Sequence, residues 1–213
     1  MAGVKPITVV GCGPGSPDLL TEAALNAVAE AECLVGSKRL LALFPTDGKE
    51  TIAEGADVQR ALEAISARIG KKSVAVLVSG DPGIYSLSAH VIKKFGVEMC
   101  RVIPGISAVQ CAFAKIGVEW GDYHLVSAHA GAPNADADFL AKRSKITVLA
   151  GTRQAMEWIA ELAKKIGEGR KIFVCEKMSL EDEKVTETNA DGLRDIEASS
   201  LTLVLLIKKE CMQ

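Results

Sequence analysis

The chain has 213 residues, 48% of them hydrophobic, so it can form one large α/β domain or two small ones around a substantial core. Its formal net charge of −2 argues against a nucleic-acid-binding protein, which usually carries a basic surplus. The longest apolar runs, at 74–79 and 201–207, are too short to span a bilayer, and the first residues lack a signal-peptide pattern. We therefore expect a cytoplasmic protein with no membrane partner.

The first half of the chain alternates between strand and helix patterns. Its apolar runs and periodicities predict strands and helices in this order: strand 7–11, helix 21–32, strand 33–36, helix 39–43, helix 58–69, strand 74–79, helix 87–95, strand 99–103 and helix 108–116. The valine-rich run at 74–79 is typical of a parallel strand that is covered on both faces. This rhythm predicts a mostly parallel sheet with helices on both sides.

The second half has a different pattern. Glycine and acidic residues interrupt both periods at 117–122, so we predict an N-terminal domain at 1–117 and a C-terminal domain at 118–213. After that joint the sequence predicts a strand at 123–127, a polar loop at 130–137, a strand at 146–150, a helix at 154–166, and strands at 172–176, 184–188 and 201–208. The C-terminal domain should therefore hold a mixed sheet, with antiparallel pairing near the end of the chain.

The cysteines and histidines do not form a metal-binding pattern. No two of the six cysteines are spaced as C-x-x-C, and no histidine lies close enough in sequence to complete a ligand set. We interpret the cysteines as small apolar core residues, and we expect no metal. His90 and His124 are interpreted as structural.

A glycine-rich turn, Gly11–Gly15, follows the first strand. Ligands of open α/β sheets bind at the carboxyl ends of strands, so this turn lies in the right place for a binding loop. It lacks the third glycine of a dinucleotide fingerprint, because Ser16 stands there, and Pro14 has no amide hydrogen for a pyrophosphate. The same turn could also serve only to reverse the chain.

Two further turns end the third and fourth predicted strands of the first half. The second turn, 79–85, reads Ser-Gly-Asp-Pro-Gly-Ile-Tyr, and its glycines allow the backbone to approach a ligand closely. In the third turn, 104–107, Ser107 could cap the following helix or hydrogen-bond a ligand. Three such turns in one sheet favour a small-molecule site over three unrelated chain reversals.

Taken together, GCGPGSPDLLT (11–21), SGDPGIY (79–85) and PGISAVQCAFAKIG (104–117) resemble the tetrapyrrole (corrin/porphyrin) methylase family. Two more stretches are similar to the members that methylate carbon 5 of precorrin-7 or cobalt-precorrin-7 in cobalamin biosynthesis. They are LVGSKRLLALFP (34–45) and Trp120 followed by LVSAHAG (125–131), where Ala130 replaces an expected glycine. The chain resembles the free-standing form, without a fused decarboxylating carbon-15 methyltransferase domain, which is a possible functional partner.

The resemblance implies two α/β domains with the active site in the cleft between them, and a homodimer. It implies S-adenosylmethionine as methyl donor, S-adenosylhomocysteine as product, and a tetrapyrrole substrate with many carboxylates. On the positions that match the family's turns, it implies a set of cofactor-binding residues in both domains: Pro14, Gly80, Asp81, Ile84, Tyr85, Ser107, Ala108, Leu149, Ala150, Met178 and Ser200.

Cationic side chains should bind the acidic substrate. We select Lys38, Arg39 and Arg153, because each follows a strand end or a glycine turn, although each could be an ordinary surface charge. His129, which ends a strand before a loop, is the residue selected for substrate contact or proton transfer. Tyr85 and Trp120 could stack on the macrocycle or belong to the core.

Three alternatives stay open at this point. The protein could methylate a different precorrin carbon or uroporphyrinogen III. It could be a nucleotide-binding oxidoreductase, which Pro14 and Ser16 disfavour. It could also be a ligand-binding module without enzymatic activity, because the three turns would serve binding equally well.

Overall fold

The computed structural model describes residues 6–54, 57–129 and 131–212. Backbone proximity divides the chain into two compact units, Met1–Ala108 and Val109–Gln213. The domain boundary predicted between residues 117 and 118 stays a prediction. Ala130, the residue that replaces an expected glycine, lies outside the described residues.

The first unit is a five-stranded sheet with helices on both faces. Its elements are β1 (Ile7–Gly11), α1 (Glu22–Glu30), β2 (Cys33–Gly36), α2 (Lys38–Leu41), β3 (Glu50–Ala53), α3 (Val58–Ser66), β4 (Val74–Val78), α4 (Leu87–Phe95) and β5 (Cys100–Ile103). The strand order is β3-β2-β4-β1-β5, and every neighbouring pair is parallel. The expected parallel sheet is therefore confirmed.

Alternating side chains of this sheet form two cores. Val10, Leu34 and Leu77 pack with α1 and α2 on one face, while Val9, Val35 and Val76 pack with α3 and α4 on the other. Residues of β4 are buried without exception, as a strand covered on both faces requires. α1 begins where expected, because the Thr21 hydroxyl accepts a hydrogen bond from the Ala24 amide at 3.1 Å.

The second unit is built on a mixed sheet. Its elements are α5 (Ala108–Ile116), β6 (Tyr123–Ser127), α6 (Ala137–Ala141), β7 (Lys145–Leu149), α7 (Arg153–Ile166), β8 (Arg170–Glu176), β9 (Lys184–Thr188) and β10 (Thr202–Lys208). The strand order is β6-β7-β10-β8-β9, with β6 and β7 parallel and the other pairs antiparallel. The predicted mixed sheet with antiparallel pairing near the end is confirmed.

One face of the second sheet packs against α7 and forms a hydrophobic core. Val148, Val174 and Val204 lie side by side on β7, β8 and β10 and pack against Met156 and Ile159 of α7. Neighbouring strands present these residues on the same face, because side chains alternate along a strand. α7 thereby covers this face of the sheet.

Among the short elements that the sequence did not predict are β3 and α6. β3 lies at the edge of the first sheet, and α6 begins at the last residue of the stretch predicted as a polar loop at 130–137 and continues to residue 141. Three of the cysteines are buried as expected (Cys12, Cys33, Cys175), whereas the other three are partly exposed (Cys100, Cys111, Cys211).

Within the described ranges, no group of three or more His, Cys, Asp or Glu side chains is placed to hold a metal ion. None of the helices in this part of the chain is both long and apolar enough to cross a membrane.

Candidate functional site

The three glycine-rich turns meet at one edge of the first sheet. β1 lies between β4 and β5, so the carboxyl ends of these parallel strands are neighbours. The Cys12 amide donates a hydrogen bond to the Val78 carbonyl at 2.9 Å, and the Gly80 amide donates to the Gly13 carbonyl at 2.8 Å. The first and second turns are therefore joined through their main chains.

Gly11 and Gly105 lie where the first and third turns touch. A Cβ atom on Gly11 would lie 2.6 Å from the Gly105 nitrogen, and one on Gly105 would lie 2.4 Å from the Gly80 carbonyl oxygen. Both neighbours are backbone atoms that cannot move aside. Only glycine fits at either position, and the result is a compact surface of main-chain groups.

Asp81 joins the second turn to the third. One carboxylate oxygen accepts a hydrogen bond from the Gly83 amide at 2.8 Å, and the other accepts from the Gly105 amide at 3.1 Å. Both oxygens therefore bind the chain's own backbone. Asp81 holds two turns in register, a role that the sequence did not suggest.

The other residues predicted on these turns lie around the same junction. Gly80 has a φ of 65°, and a Cβ there would lie 3.6 Å from the Cα of Ser107, which is 3% exposed. Tyr85 has a φ of 40°, a conformation rare outside glycine, and its side chain is 65% exposed. The remaining three are a buried Pro14, a half-buried Ile84 and Ala108 at the start of α5.

Arg39 extends this junction to β2. α2 begins after Ser37, whose hydroxyl accepts a hydrogen bond from the Leu40 amide. This places Arg39 beside Ser79, which directly follows the neighbouring strand β4. Its Nη2 donates to the Ser79 hydroxyl at 3.0 Å, whereas its Nη1 is buried and has no hydrogen-bond partner in the part of the chain that the structure describes. A buried N–H group without a partner costs free energy, and this guanidinium therefore has an unused donor that suits an anionic oxygen.

Burial shifts the pKa values of Arg39 and of its neighbour Cys12. It lowers the pKa of Arg39, although the guanidinium stays protonated at any physiological pH. It raises the pKa of the neighbouring Cys12 thiol to about 12, so the thiol is neutral and unreactive. The only charge of this pair is therefore the cation. Lys38, on the same helix, is exposed.

The second sheet has its own edge of strand ends. The Ala128 amide donates to the Leu149 carbonyl at 2.9 Å, the Ala150 amide to the Thr202 carbonyl at 3.0 Å, and the Lys177 amide to the Leu201 carbonyl at 3.0 Å. The ends of β6, β7 and β8 thus meet the start of β10. This edge carries the four residues of the second half that were predicted to bind the cofactor: Leu149, Ala150, Met178 and Ser200.

His129 lies on the same edge. Its ring packs against Gly151, where a Cβ would lie 2.6 Å from Nδ1 and 3.7 Å from the Cα of Ser200. Partial burial of the ring lowers the pKa of His129 below its ordinary value, which favours the neutral imidazole at pH 7. A neutral imidazole can accept or donate a proton, and the predicted role of His129 stays a prediction.

Arg153 and Trp120 have ordinary surface surroundings. Arg153 is the first residue of α7, its side chain is 88% exposed, and it pairs with Glu157 one helical turn away. Trp120 is 48% exposed and contacts the ring of Tyr123 edge-on. His124 packs edge-on against Phe139, in agreement with a structural role.

Comparison with known proteins gives the family. A family model described as tetrapyrrole (corrin/porphyrin) methylases matches residues 6–194. This chain belongs to the tetrapyrrole methylases. A relative in Salmonella typhimurium, cobalt-precorrin-7 C(5)-methyltransferase, is 38% identical over 191 residues, which cover 87% of this chain and 94% of the relative. A probable enzyme of the same name in Methanocaldococcus jannaschii is 29% identical over 210 residues, covering 92% and 95%.

Solved structures of other tetrapyrrole methylases share the fold. Precorrin-6Y methylase from Archaeoglobus fulgidus has a TM-score of 0.76 at 24% identity, covering 96% of this chain and 99% of its own. Uroporphyrin-III C-methyltransferase from Thermus thermophilus, in complex with S-adenosylhomocysteine, has a TM-score of 0.74 at 22% identity, covering 95% and 97%. Family membership makes this protein a methyltransferase, and it decides against the oxidoreductase alternative.

Proposed function

We propose that this protein transfers a methyl group from S-adenosylmethionine to carbon 5 of precorrin-7 or cobalt-precorrin-7, in cobalamin biosynthesis. The observation that carries the proposal is the 38% identity to the Salmonella enzyme over nearly the full length of both chains. The stretch 34–45, which includes Arg39, supports the same assignment. A relative named cobalt-factor III methyltransferase, from Priestia megaterium, matches a smaller part, 52% of this chain.

The residues at the two sheet edges fit such a cofactor. Gly80 and Gly105 bring main-chain groups of the second and third turns close together without an intervening side chain, and Leu149 and Ala150 follow the end of β7 beside the start of β10. When bound, S-adenosylmethionine supplies the methyl group on a sulfonium, from which an electron-rich ring carbon takes it in an in-line displacement. We propose that Pro14, Gly80, Asp81, Ile84, Tyr85, Ser107, Ala108, Leu149, Ala150, Met178 and Ser200 hold the cofactor.

The chain contributes positioning to this reaction. Methyl transfer needs reacting atoms held at contact distance and shielded from water more than it needs a strong acid or base. The Asp81 carboxylate, fixed between two amides, keeps the second and third turns rigid. A rigid set of backbone groups orients a ligand with little loss of conformational entropy on binding.

Arg39 is the strongest of the proposed substrate-binding residues. Its unpartnered buried N–H calls for an oxygen acceptor, and a tetrapyrrole carboxylate has the right charge and geometry for it. Lys38 and Arg153 are proposed as more exposed contacts. We propose His129 for substrate contact or for removal of a proton after transfer.

Incubation with each of a set of precorrins and labelled S-adenosylmethionine tests the reaction. Mass spectrometry and carbon NMR of the product should show one new methyl group, at carbon 5. A methyl group at another carbon would refute the assigned position, and no methyl transfer to any tetrapyrrole would refute the function.

Calorimetric titration with S-adenosylhomocysteine tests the cofactor site. Ser107→Ala and Asp81→Ala should each weaken binding by about tenfold or more. Asp81→Asn keeps one oxygen acceptor and should lose less. Unchanged affinity in Ser107→Ala and Asp81→Ala together would remove this site assignment.

We also propose a homodimer in the cytoplasm, in functional partnership with a decarboxylating carbon-15 methyltransferase. The family resemblance supports the dimer, and light scattering after size-exclusion chromatography would show twice the chain mass. A monomeric mass at micromolar concentration would refute it.

A further inference from the structure

Residues 177–179 form a strained segment directly after β8. Lys177 and Ser179 have φ angles of 50° and 68°, in the left-handed region that residues other than glycine rarely adopt. Met178, between them, is 3% exposed. Such a conformation persists only where surrounding groups fix it, and strained residues are concentrated at ligand sites.

Glu183 fixes the end of this segment. One of its carboxylate oxygens accepts a hydrogen bond from the Ser179 amide at 2.7 Å, and the other pairs with the Lys115 ammonium of α5 at 2.7 Å. The Lys115 ammonium and the Ser179 amide hold the pKa of Glu183 below its ordinary value, so the carboxylate is charged at neutral pH. Its side chain is only 19% exposed, and screening by water is correspondingly reduced.

The start of the segment is fixed separately. The Lys177 amide donates to the Leu201 carbonyl ahead of β10, and the Lys177 ammonium pairs with Asp182. The Leu180 amide donates to the Lys177 carbonyl at 2.9 Å, and the Glu183 amide to the Leu180 carbonyl at 3.0 Å. Both ends of the segment are therefore held, and the backbone at Met178 has little freedom to relax.

We infer that Glu183 is a positioning residue for cofactor binding: by holding the Ser179 amide against Lys115, it sets the backbone at Met178 in the conformation that receives S-adenosylmethionine. This inference rests on the proposed function, in which Met178 contacts the cofactor. The ion pair between Lys115 of α5 and Glu183 then contributes to ligand affinity. Its contribution to stability is expected to be small, as for most ion pairs near a protein surface.

Three variants test the inference by calorimetry with S-adenosylhomocysteine. Glu183→Ala removes both interactions and should weaken binding by about ten- to a hundredfold. Glu183→Gln keeps an oxygen acceptor for the Ser179 amide but loses the charge, so its loss should be smaller. The matched control is Glu181→Ala, an exposed carboxylate on the same turn, which should bind like the wild type.

Calorimetry separates positioning from a purely structural role. Titrations are run well below the unfolding temperature of each variant, where a purely structural role would lower the number of binding sites but leave their Kd unchanged. If Glu183→Ala fails to fold, Glu183→Gln and Lys115→Met decide the question, since each removes the ion pair. Wild-type affinity in these variants would overturn only the inference about Glu183. A wild-type protein that does not bind S-adenosylhomocysteine would refute the proposed function as well.

Discussion

At the scale of single residues, Gly105 of the third turn contacts both of the other turns. A Cβ there would lie 2.4 Å from the Gly80 oxygen and 2.8 Å from the Gly11 carbonyl carbon, so all three turns would have to separate. Overpacking of this kind costs about 1–3 kcal/mol or more. We expect Gly105→Ala to lose that much free energy of unfolding in urea, and to lose S-adenosylhomocysteine binding.

Gly169→Ala is the matched control, because a Cβ at Gly169 would have no atom within 4 Å. It should be as stable as the wild type or slightly more so, because alanine restricts the unfolded chain. Equal stability of Gly105→Ala and Gly169→Ala would contradict the close packing of the turns.

Arg39 allows a test of the substrate side. Replacement by glutamine removes the charge and the buried N–H that faces no partner among the described residues. A charged hydrogen bond is worth about 1.5–3 kcal/mol, so we expect kcat/KM for the tetrapyrrole to fall by about ten- to a hundredfold. The affinity for S-adenosylhomocysteine should stay unchanged, because the lost contact belongs to the substrate.

Lys38→Gln serves as the control for charge on the same helix, since its side chain is exposed. It should have a smaller effect on kcat/KM. If Arg39→Gln instead weakened S-adenosylhomocysteine and left the tetrapyrrole KM unchanged, the buried N–H would belong to the cofactor carboxylate.

At the scale of elements, most strands and helices follow from periodicity and capping. The uniformly apolar β4 and the Thr21 cap of α1 are local features, and both are visible in the sequence. β3 and α6 are not visible in this way. β3 (Glu-Thr-Ile-Ala) mixes polar and apolar residues and is half-buried, whereas the equally short β2 (Cys-Leu-Val-Gly) is uniformly buried. α6 depends on long-range contacts, because Leu140 packs into the core of its unit and the Ala141 carbonyl accepts a hydrogen bond from Arg170.

β3 also carries a cluster of ion pairs around Glu50, whose contribution to stability depends on pH. The Arg68 guanidinium and the Lys72 ammonium both bind Glu50, and they lower the pKa of its carboxyl from 4.5 to about 2. The folded state therefore binds this proton less readily than the unfolded state. The stabilising contribution is fully present above about pH 4.5, and it is lost as the pH falls towards 2.

Glu50→Gln should remove this contribution. Its unfolding temperature should lie below that of the wild type at pH 6, and the two should converge as the pH approaches 2. Calorimetric scans from pH 6 downwards measure the difference, and Glu181→Gln, an exposed carboxylate, is the control. A difference between the two proteins that does not depend on pH would contradict the assignment to Glu50.

At the scale of the whole molecule, the position of the candidate site was predictable and its internal bonding was not. Parallel strands place their carboxyl ends at one edge, so turns 11–15, 79–85 and 104–107 had to be neighbours once the strand order was right. The contact of Arg39 with Ser79 spans 40 residues, and that of Asp81 with Gly105 spans 24. These contacts depend on how helices and turns pack on the finished sheet, and no local pattern encodes that packing.

Ligand binding should be visible in the stability of the whole chain. A ligand that binds only the folded state at a hundred times its Kd adds about 2.7 kcal/mol, which for a protein of this size raises the unfolding temperature by about 5–10 °C. We expect S-adenosylhomocysteine to give this shift and NADH at equal concentration to give none, since Pro14 and Ser16 break the dinucleotide pattern. Ser107→Ala should show a reduced shift with S-adenosylhomocysteine at the same concentration, because it lowers the ratio of ligand to Kd. A shift with NADH but none with S-adenosylhomocysteine would favour a nucleotide site at these turns and contradict the proposed methyl transfer.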